Sequence, residues 1–262
     1  MILLLWALPF NHPLWEGVPA PDWMELPALV VEASHSHRQE GLLTDGEVTL
    51  VPFRFGGDHW TIEASLYGVH GGWMDGGIAS WHQFWGLPEG ERPNQQNGDI
   101  SFAYDDGEGV VWGVDRSGIG ISAPLISFPL SPSDRLAISP LPGTGPFDLW
   151  RAPGASWFHH WRGGRWEGEL GLGWMGGIKL ARGSPGRAYG SLSAMGQFPW
   201  GQREFLLGVR GTTPLWDGPA RTVLEGVVLF RFWGGKERWV VGFSEDLSVG
   251  SGADFSLWMG KG

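Results

Sequence analysis

The stretch VVLFRFWGGKERWVVGFSEDL, residues 227–247, decides the fold. Arg231 stands between Phe230 and Phe232. Two glycines and a charged pair follow, then Trp239, Val241 and Phe243 at every second position, opposed by Arg238, Ser244 and Asp246. Period two marks strands whose two faces meet different surroundings, and the glycine break between them reads as a hairpin turn. The fold then turns on what the apolar face touches, a protein core or lipid.

Working outward, the same parity sorts the neighbouring segments. Over 165–175 the face Trp166, Leu170, Leu172, Trp174 opposes Arg165, Glu167, Glu169. Over 187–197 the face Ala188, Leu192, Ala194 opposes Arg187, Tyr189, Ser191 and Ser193. Over 202–212 Phe205, Leu207 and Val209 oppose Glu204, Arg210 and Thr212, and over 253–259 Phe255, Leu257 and Met259 oppose Asp254 and Ser256. The segment 221–233 is mixed. Its charged face, with Arg221, Glu225 and Arg231, also carries Val223, Val227 and Leu229. Earlier strands are expected at 25–36, 45–55, 59–70, 118–128, 135–139 and 147–161. A helical turn is expected at 78–85 and a β-ribbon at 99–115.

Soluble sandwiches point such apolar faces inward, and transmembrane barrels point them at lipid with polar residues inside. Three features favour the barrel. The strands have roughly the length of a tilted membrane strand, about 9–11 residues. Aromatics gather near strand ends, as in an interfacial girdle. Tight connections at 56–57, 162–164, 199–201 and 234–236 alternate with longer ones at 37–44, 71–116, 142–146, 176–186 and 213–219, as outer-membrane barrels require. With the ribbon assigned to the long loop, twelve strands remain, an even number. The expectation is one all-β domain over 1–262, an antiparallel up-and-down transmembrane β-barrel. Residues 1–22 form an N-terminal segment, read either as the remnant of a secretion signal or as a plain apolar stretch.

Composition agrees. Forty-four Gly and 19 Pro oppose helices, while 18 Trp oppose disorder and favour surfaces that are dry on one side and wet on the other. With 18 Lys+Arg against 28 Asp+Glu the net charge is −10, which excludes a nucleic-acid partner on charge grounds. No cysteine offers a thiolate ligand or nucleophile.

The expected inner face carries Glu63, Arg165, Glu167, Glu169, Arg187, Glu204, Arg210, Arg221, Glu225, Arg231, Arg238 and Asp246. By this parity a charge introduced at Val241 faces lipid and is costly, and one at Ser244 faces the lumen and is tolerated. The long segment 71–116 carries Trp73, Trp81, Phe84 and Trp85. Trp81, Phe84 and Trp85 share one side of a helix, and the segment is expected to fold over the barrel mouth as a lid rather than to lie on the outer leaflet.

No catalytic residue, metal or cofactor is assigned. His35 and His37 share a strand face without a third ligand, and His159 and His160 fall on opposite faces. Ser34, Ser36, His35 and His70 reproduce no hydrolase spacing.

The motifs FNHPL, HGGWMDGGIASWHQFWGLPEGERP, VDRSGIG, TPLWD and SEDLSVGSGADFSLWM together resemble an uncharacterised family of bacterial outer-membrane barrels, the domain of unknown function 3187 family. The resemblance implies a single outer-membrane barrel without established activity. The chain departs from the usual barrel ending, an aromatic, by closing on LWMGKG. The functional expectation is a bacterial outer-membrane barrel in contact with outer-membrane lipid, a narrow loop-gated pore for a small solute or an envelope component. The alternatives are an outer-membrane lipid-modifying hydrolase and a soluble Trp-rich β domain that binds carbohydrate.

Overall fold

The computed structural model describes residues 25–39, 42–71, 74–86, 100–105, 110–122, 124–140, 145, 154–175, 187–201, 203–214, 223–234, 236–247 and 255–261. The elements in chain order are β1 (Glu25–Gln39), β2 (Leu42–Gly57), β3 (Trp60–His70), the helix α1 (Asp75–Trp85), β4 (Ser101–Asp105), β5 (Val110–Val114), β6 (Gly118–Ile121), β7 (Leu125–Pro129), β8 (Asp134–Ser139), β9 (Gly154–Gly163), β10 (Trp166–Met175), β11 (Arg187–Trp200), β12 (Arg203–Pro214), β13 (Val223–Gly234), β14 (Glu237–Asp246) and β15 (Phe255–Lys261).

The strands close on themselves. β1 pairs with β2 and β2 with β3; β3 pairs with β6 and β7, and β7 with β8. Neighbours then pair in sequence to β15, which returns to β1. Every ladder is antiparallel. β6 and β7 share one place in the ring, because Leu66–Val69 of β3 pairs with β6 and Thr61–Glu63 with β7. The strand expected over 118–128 is therefore divided into β6 and β7; after β6, Ser122 Oγ accepts the Ser65 N–H at 2.8 Å and Ser122 N–H returns to the Ser65 carbonyl at 2.8 Å. Counting that place once gives the twelve-strand up-and-down barrel. The ribbon β4–β5 stays outside the ring and pairs with Leu42–Asp45 of β2.

One end of the barrel holds the short turns, where Gly57 faces Trp60, Gly163 faces Trp166, Trp200 faces Arg203 and Gly234 faces Glu237 in register. Gly164 (φ +61°) and Gly201 (φ +63°) supply the left-handed residue that such turns need. The connections at the other end are long, with one correction. The loop expected over 37–44 is instead strand, and Gln39 faces Leu42 across a tight turn. There the loop end is raised by extending a hairpin, and the paired ribbon β4 satisfies the extended edge of β2.

Parity holds around the ring. Leu170, Leu172, Leu192, Leu207, Val209, Val241 and Met259 point outward and are exposed. On β10, Trp166 and Trp174 bracket Leu170 and Leu172 on that face. Their separation is roughly 26 Å along the strand at about 3.3 Å per residue, or about 20 Å in height once the strand is tilted. At the short-turn end the outward face is aromatic. Trp166 lies edge-on to Phe198 at 6.5 Å, and Trp200, Phe205, Phe230 and Phe232 form a row of rings 4.9–5.6 Å apart.

The inward face differs from the polar lining expected. Charges are there, but Val48, Leu50, Phe158, Leu206 and Leu229 are also inward and fully buried. The mixed pattern of 221–233 was the sign of this. A twelve-strand ring needs large side chains to fill it, and aliphatic ones do so without unpaired polar atoms. Packing is close enough that some positions admit only glycine. A Cβ on Gly171 would lie 2.1 Å from Ser191 Oγ and 2.6 Å from the Phe158 ring. Gly171→Val is expected to cost about 1–3 kcal/mol through overpacking, seen as a lowered thermal midpoint by circular dichroism in detergent. An unchanged midpoint would mean the interior has room there.

Candidate functional site

Inside the ring the ionisable side chains meet in cross-strand pairs. Arg210 on β12 stands directly opposite Glu225 on β13. The Arg210 guanidinium donates to both carboxylate oxygens, Nη2 to Oε1 at 3.2 Å and Nε to Oε2. Ser244 Oγ on β14 donates to Glu225 Oε1 at 3.4 Å. Arg210, Glu225 and Ser244 are all buried. Six residues nearer the short turns on the same strands, Arg231 Nη1 donates to Glu204 Oε2 at 3.3 Å. On the far wall Arg54 Nε donates to Glu63 Oε1 at 2.7 Å, again across a direct register pair. Arg135 on β8 reaches past β9 to Glu169 on β10 at 2.5 Å, and its guanidinium carbon lies 5.4 Å from the centroid of the Phe158 ring.

The structure thus brings Glu63, Glu169, Glu204, Arg210, Glu225 and Arg231 into the interior as partners. Glu167 is inward too, with Arg162 Nε 4.0 Å away. Arg238 lies on the inward face opposite Trp233, near the short turns. Arg165 does not belong to this set, because it lies exposed in the β9–β10 turn, where its carbonyl accepts the Gln197 N–H at 2.7 Å. Arg187 and Asp246 lie on the expected strands β11 and β14. Arg221 and Trp73 fall outside the described residues. Sequence reasoning missed Arg54 and Arg135. Register 54↔63 would have given the first, while the second spans three strands and follows only from the closed ring.

One loop residue enters the interior. Gly145 (φ +105°), from the connection between β8 and β9, lies over Gly120. A Cβ there would be 2.5 Å from Gly120 Cα and 2.9 Å from Tyr67 Oη. Tyr67 is inward and almost fully buried.

The helix α1 lies elsewhere than expected. It packs on the outside of the barrel, not over its mouth. Glu47 of β2 shares the outward parity of Val51 and Phe55, yet it is fully buried, and its Oε1 accepts the N–H of Met74, the residue that caps α1, at 2.5 Å. Met74 and Ile78 pack on Leu257 of β15. Trp81 lies edge-on to Phe243 of β14 at 5.6 Å. His82 Nε2 is 2.9 Å from Glu245 Oε1, both nearly buried. Leu257, Phe243 and Glu245 all have the outward parity of exposed Met259 and Val241. Gly86 (φ +67°) ends the helix in left-handed geometry. The lid expectation for Trp81, Phe84 and Trp85 is corrected accordingly: Trp81 faces the barrel wall, and Phe84 and Trp85, 77% and 58% exposed, point away from it.

This placement has a physical cause. Glu47 and Glu245 interrupt outward strand faces that carry Val51 and Phe55 on β2 and Val241 and Phe243 on β14. Glu47 meets the N-terminus of α1 and Glu245 meets His82, and α1 covers both. Replacing 72–97 with a Gly-Ser linker is therefore expected to leave conductance in a planar bilayer unchanged. If that wall meets lipid, the replacement should destabilise the barrel by about 2 kcal/mol, since uncovered acids on a lipid-facing wall are costly. A rise in conductance would restore the lid.

His70 also lies on this outer wall. Its Nε2 is 2.9 Å from Thr49 Oγ1, but Nδ1 is 3.7 Å from Glu47 Oε2, beyond hydrogen-bond length. A hydroxyl–imidazole–carboxylate relay is not formed. Among the described residues no group of three or more His, Asp or Glu is placed to hold a metal ion.

No family profile matches the chain, and no curated protein does. Among solved structures it is similar to the COG4313 outer membrane channel from Pseudomonas putida F1, at 14% identity and a TM-score of 0.41, over 92% of this chain and 97% of that one. The barrel assignment rests on the strand pairing itself.

Proposed function

We propose that the protein is a bacterial outer-membrane β-barrel whose interior forms a narrow passage for a small polar solute, closed by paired charges. The observation that carries this reading is the sorting of side chains by face. Leucine, valine and methionine are exposed around the outer wall, while Arg210, Glu225 and Arg231 are buried inside. In water that arrangement is costly on both faces, because it leaves a broad apolar surface wet and hides ions. In a bilayer the outer wall is solvated by acyl chains and bounded by tryptophan at both ends. Membership of the uncharacterised barrel family that the loop motifs resemble is part of the same reading.

The test has two stages. Extracted in detergent, the folded barrel should migrate faster on an unheated gel than after boiling. A chain that is monomeric and folded in plain buffer would instead support the soluble carbohydrate-binding alternative. In planar bilayers the parent should show small or rare openings, and the Arg210→Ala, Glu225→Ala double variant larger ones. Identical traces for the two would remove the interior pairs from any role in passage.

A further inference from the structure

Among the described residues, one cation on the outer wall has no carboxylate partner of the kind that Arg54, Arg135, Arg210 and Arg231 have inside. Arg203 opens β12, directly opposite Trp200 across the β11–β12 turn. It has the outward parity of Phe205 and is exposed. Its guanidinium carbon lies 5.9 Å from the centroid of the Trp200 ring and 5.8 Å from that of Phe230. Among the described residues it meets ring faces and no carboxylate. The rings belong to the row described above. Trp200 stacks on Phe205 at 5.5 Å, Phe205 lies 4.9 Å from Phe230, and Phe230 stacks on Phe232 at 5.6 Å.

Resting on the membrane-barrel reading, we propose that Arg203 and this row of rings form a binding site for one phospholipid of the leaflet at the short-turn end, with the guanidinium holding the phosphate. Three properties point to that occupant. Arg203 sits next to a turn, at headgroup height, where phosphate is the abundant anion. Aromatic faces hold a guanidinium by its π surface and leave its N–H edge free for two oxygens of one phosphate. The row Trp200–Phe205–Phe230–Phe232 runs on along the apolar wall, where the acyl chains of the same lipid would lie. Lys236, in the β13–β14 turn, is also exposed, but among the described residues no ring contact holds it.

The experiment is native mass spectrometry of the barrel in detergent, titrated with dioleoylphosphatidylglycerol. Arg203→Gln should weaken the first lipid adduct about tenfold, the scale of a lost charge-assisted contact. Arg203→Lys should keep part of the affinity, because it retains charge but not the fork, and Lys236→Gln should change nothing. Dioleoylglycerol, which lacks the phosphate, should bind parent and Arg203→Gln alike. Trp200→Leu should weaken both lipids. Each variant is first checked for heat-modifiable mobility. Equal phosphatidylglycerol binding by parent and Arg203→Gln would overturn the site while leaving the membrane barrel standing, whereas a chain that never enters detergent micelles would sink the barrel reading itself.

Discussion

Glu225→Ala is expected to destabilise the barrel by about 3–5 kcal/mol, the cost of stranding a buried cation. The substitution removes the acceptor for both nitrogens of Arg210 and for Ser244 Oγ, in an interior where Leu229 and Val227 leave little room for water. The loss should appear as a lower urea midpoint with an unchanged slope. The double replacement Arg210→Met, Glu225→Leu should recover most of it, since an apolar pair of similar volume needs no counter-ion. If the single and double variants are equally weak, the residues act through shape rather than charge. If the single variant matches the parent, the interior is wet and the pair is not desolvated.

The second large effect concerns the opposite face. Val241 is outward and 39% exposed, near the middle of β14. Val241→Arg should cost about 2–4 kcal/mol if that wall meets hydrocarbon, and in cells it should reduce the assembled, heat-modifiable fraction. The natural control is an inward position that tolerates a long cation. Ser244, which parity alone suggests, is unsuitable, because it is fully buried and bonded to Glu225. An arginine there would be overpacked and would disturb the Arg210 pair. Gln197, inward on β11 near the short turns and opposite Leu206, is the better site. Gln197→Arg should leave assembly intact. Equal damage from Val241→Arg and Gln197→Arg would count against lipid on the outer wall.

Much of this was legible in the sequence because a strand's side-chain period is fixed. Phe230, Phe232, Trp239 and Val241 could be assigned to one face, and Arg231 to the other, without knowing any partner strand. The ring of twelve followed from setting the ribbon aside. What the period does not reveal is how far apart in the chain two neighbours stand. Arg135 and Glu169 meet across β9 only because the sheet curves inward. The aliphatic filling of the lumen shows in the sequence only as the mixed face of 221–233, at Val227 and Leu229, since alternation predicts which face a residue takes and not how full that face is.

The position of α1 was misread for a related reason. The spacing of Trp81, Phe84 and Trp85 defines an apolar side of a helix but not what it packs against. The informative residues were Glu47 and Glu245. Each interrupts a mainly apolar outward face, Glu47 on the side of Val51 and Phe55, and Glu245 two residues after Phe243. A carboxylate that breaks such a face calls for a cover, and the nearest uncommitted segment is α1.

The helix α1 also has a place in time. α1 leaves the chain after β3 but is gripped by β2 on one side and by β14 and β15 on the other, so it bridges the junction where β15 returns to β1. Its docking surface does not exist until the last strand is in place. Sequence separation makes this the slowest class of contact to form. The helix is therefore idle through most of assembly and seats only when the cylinder shuts. With Phe243 against its ring, Trp81 becomes a natural clock for that moment. Its emission should stay solvent-like while the earlier ladders zip, then change in a single late phase that vanishes when β15 is deleted.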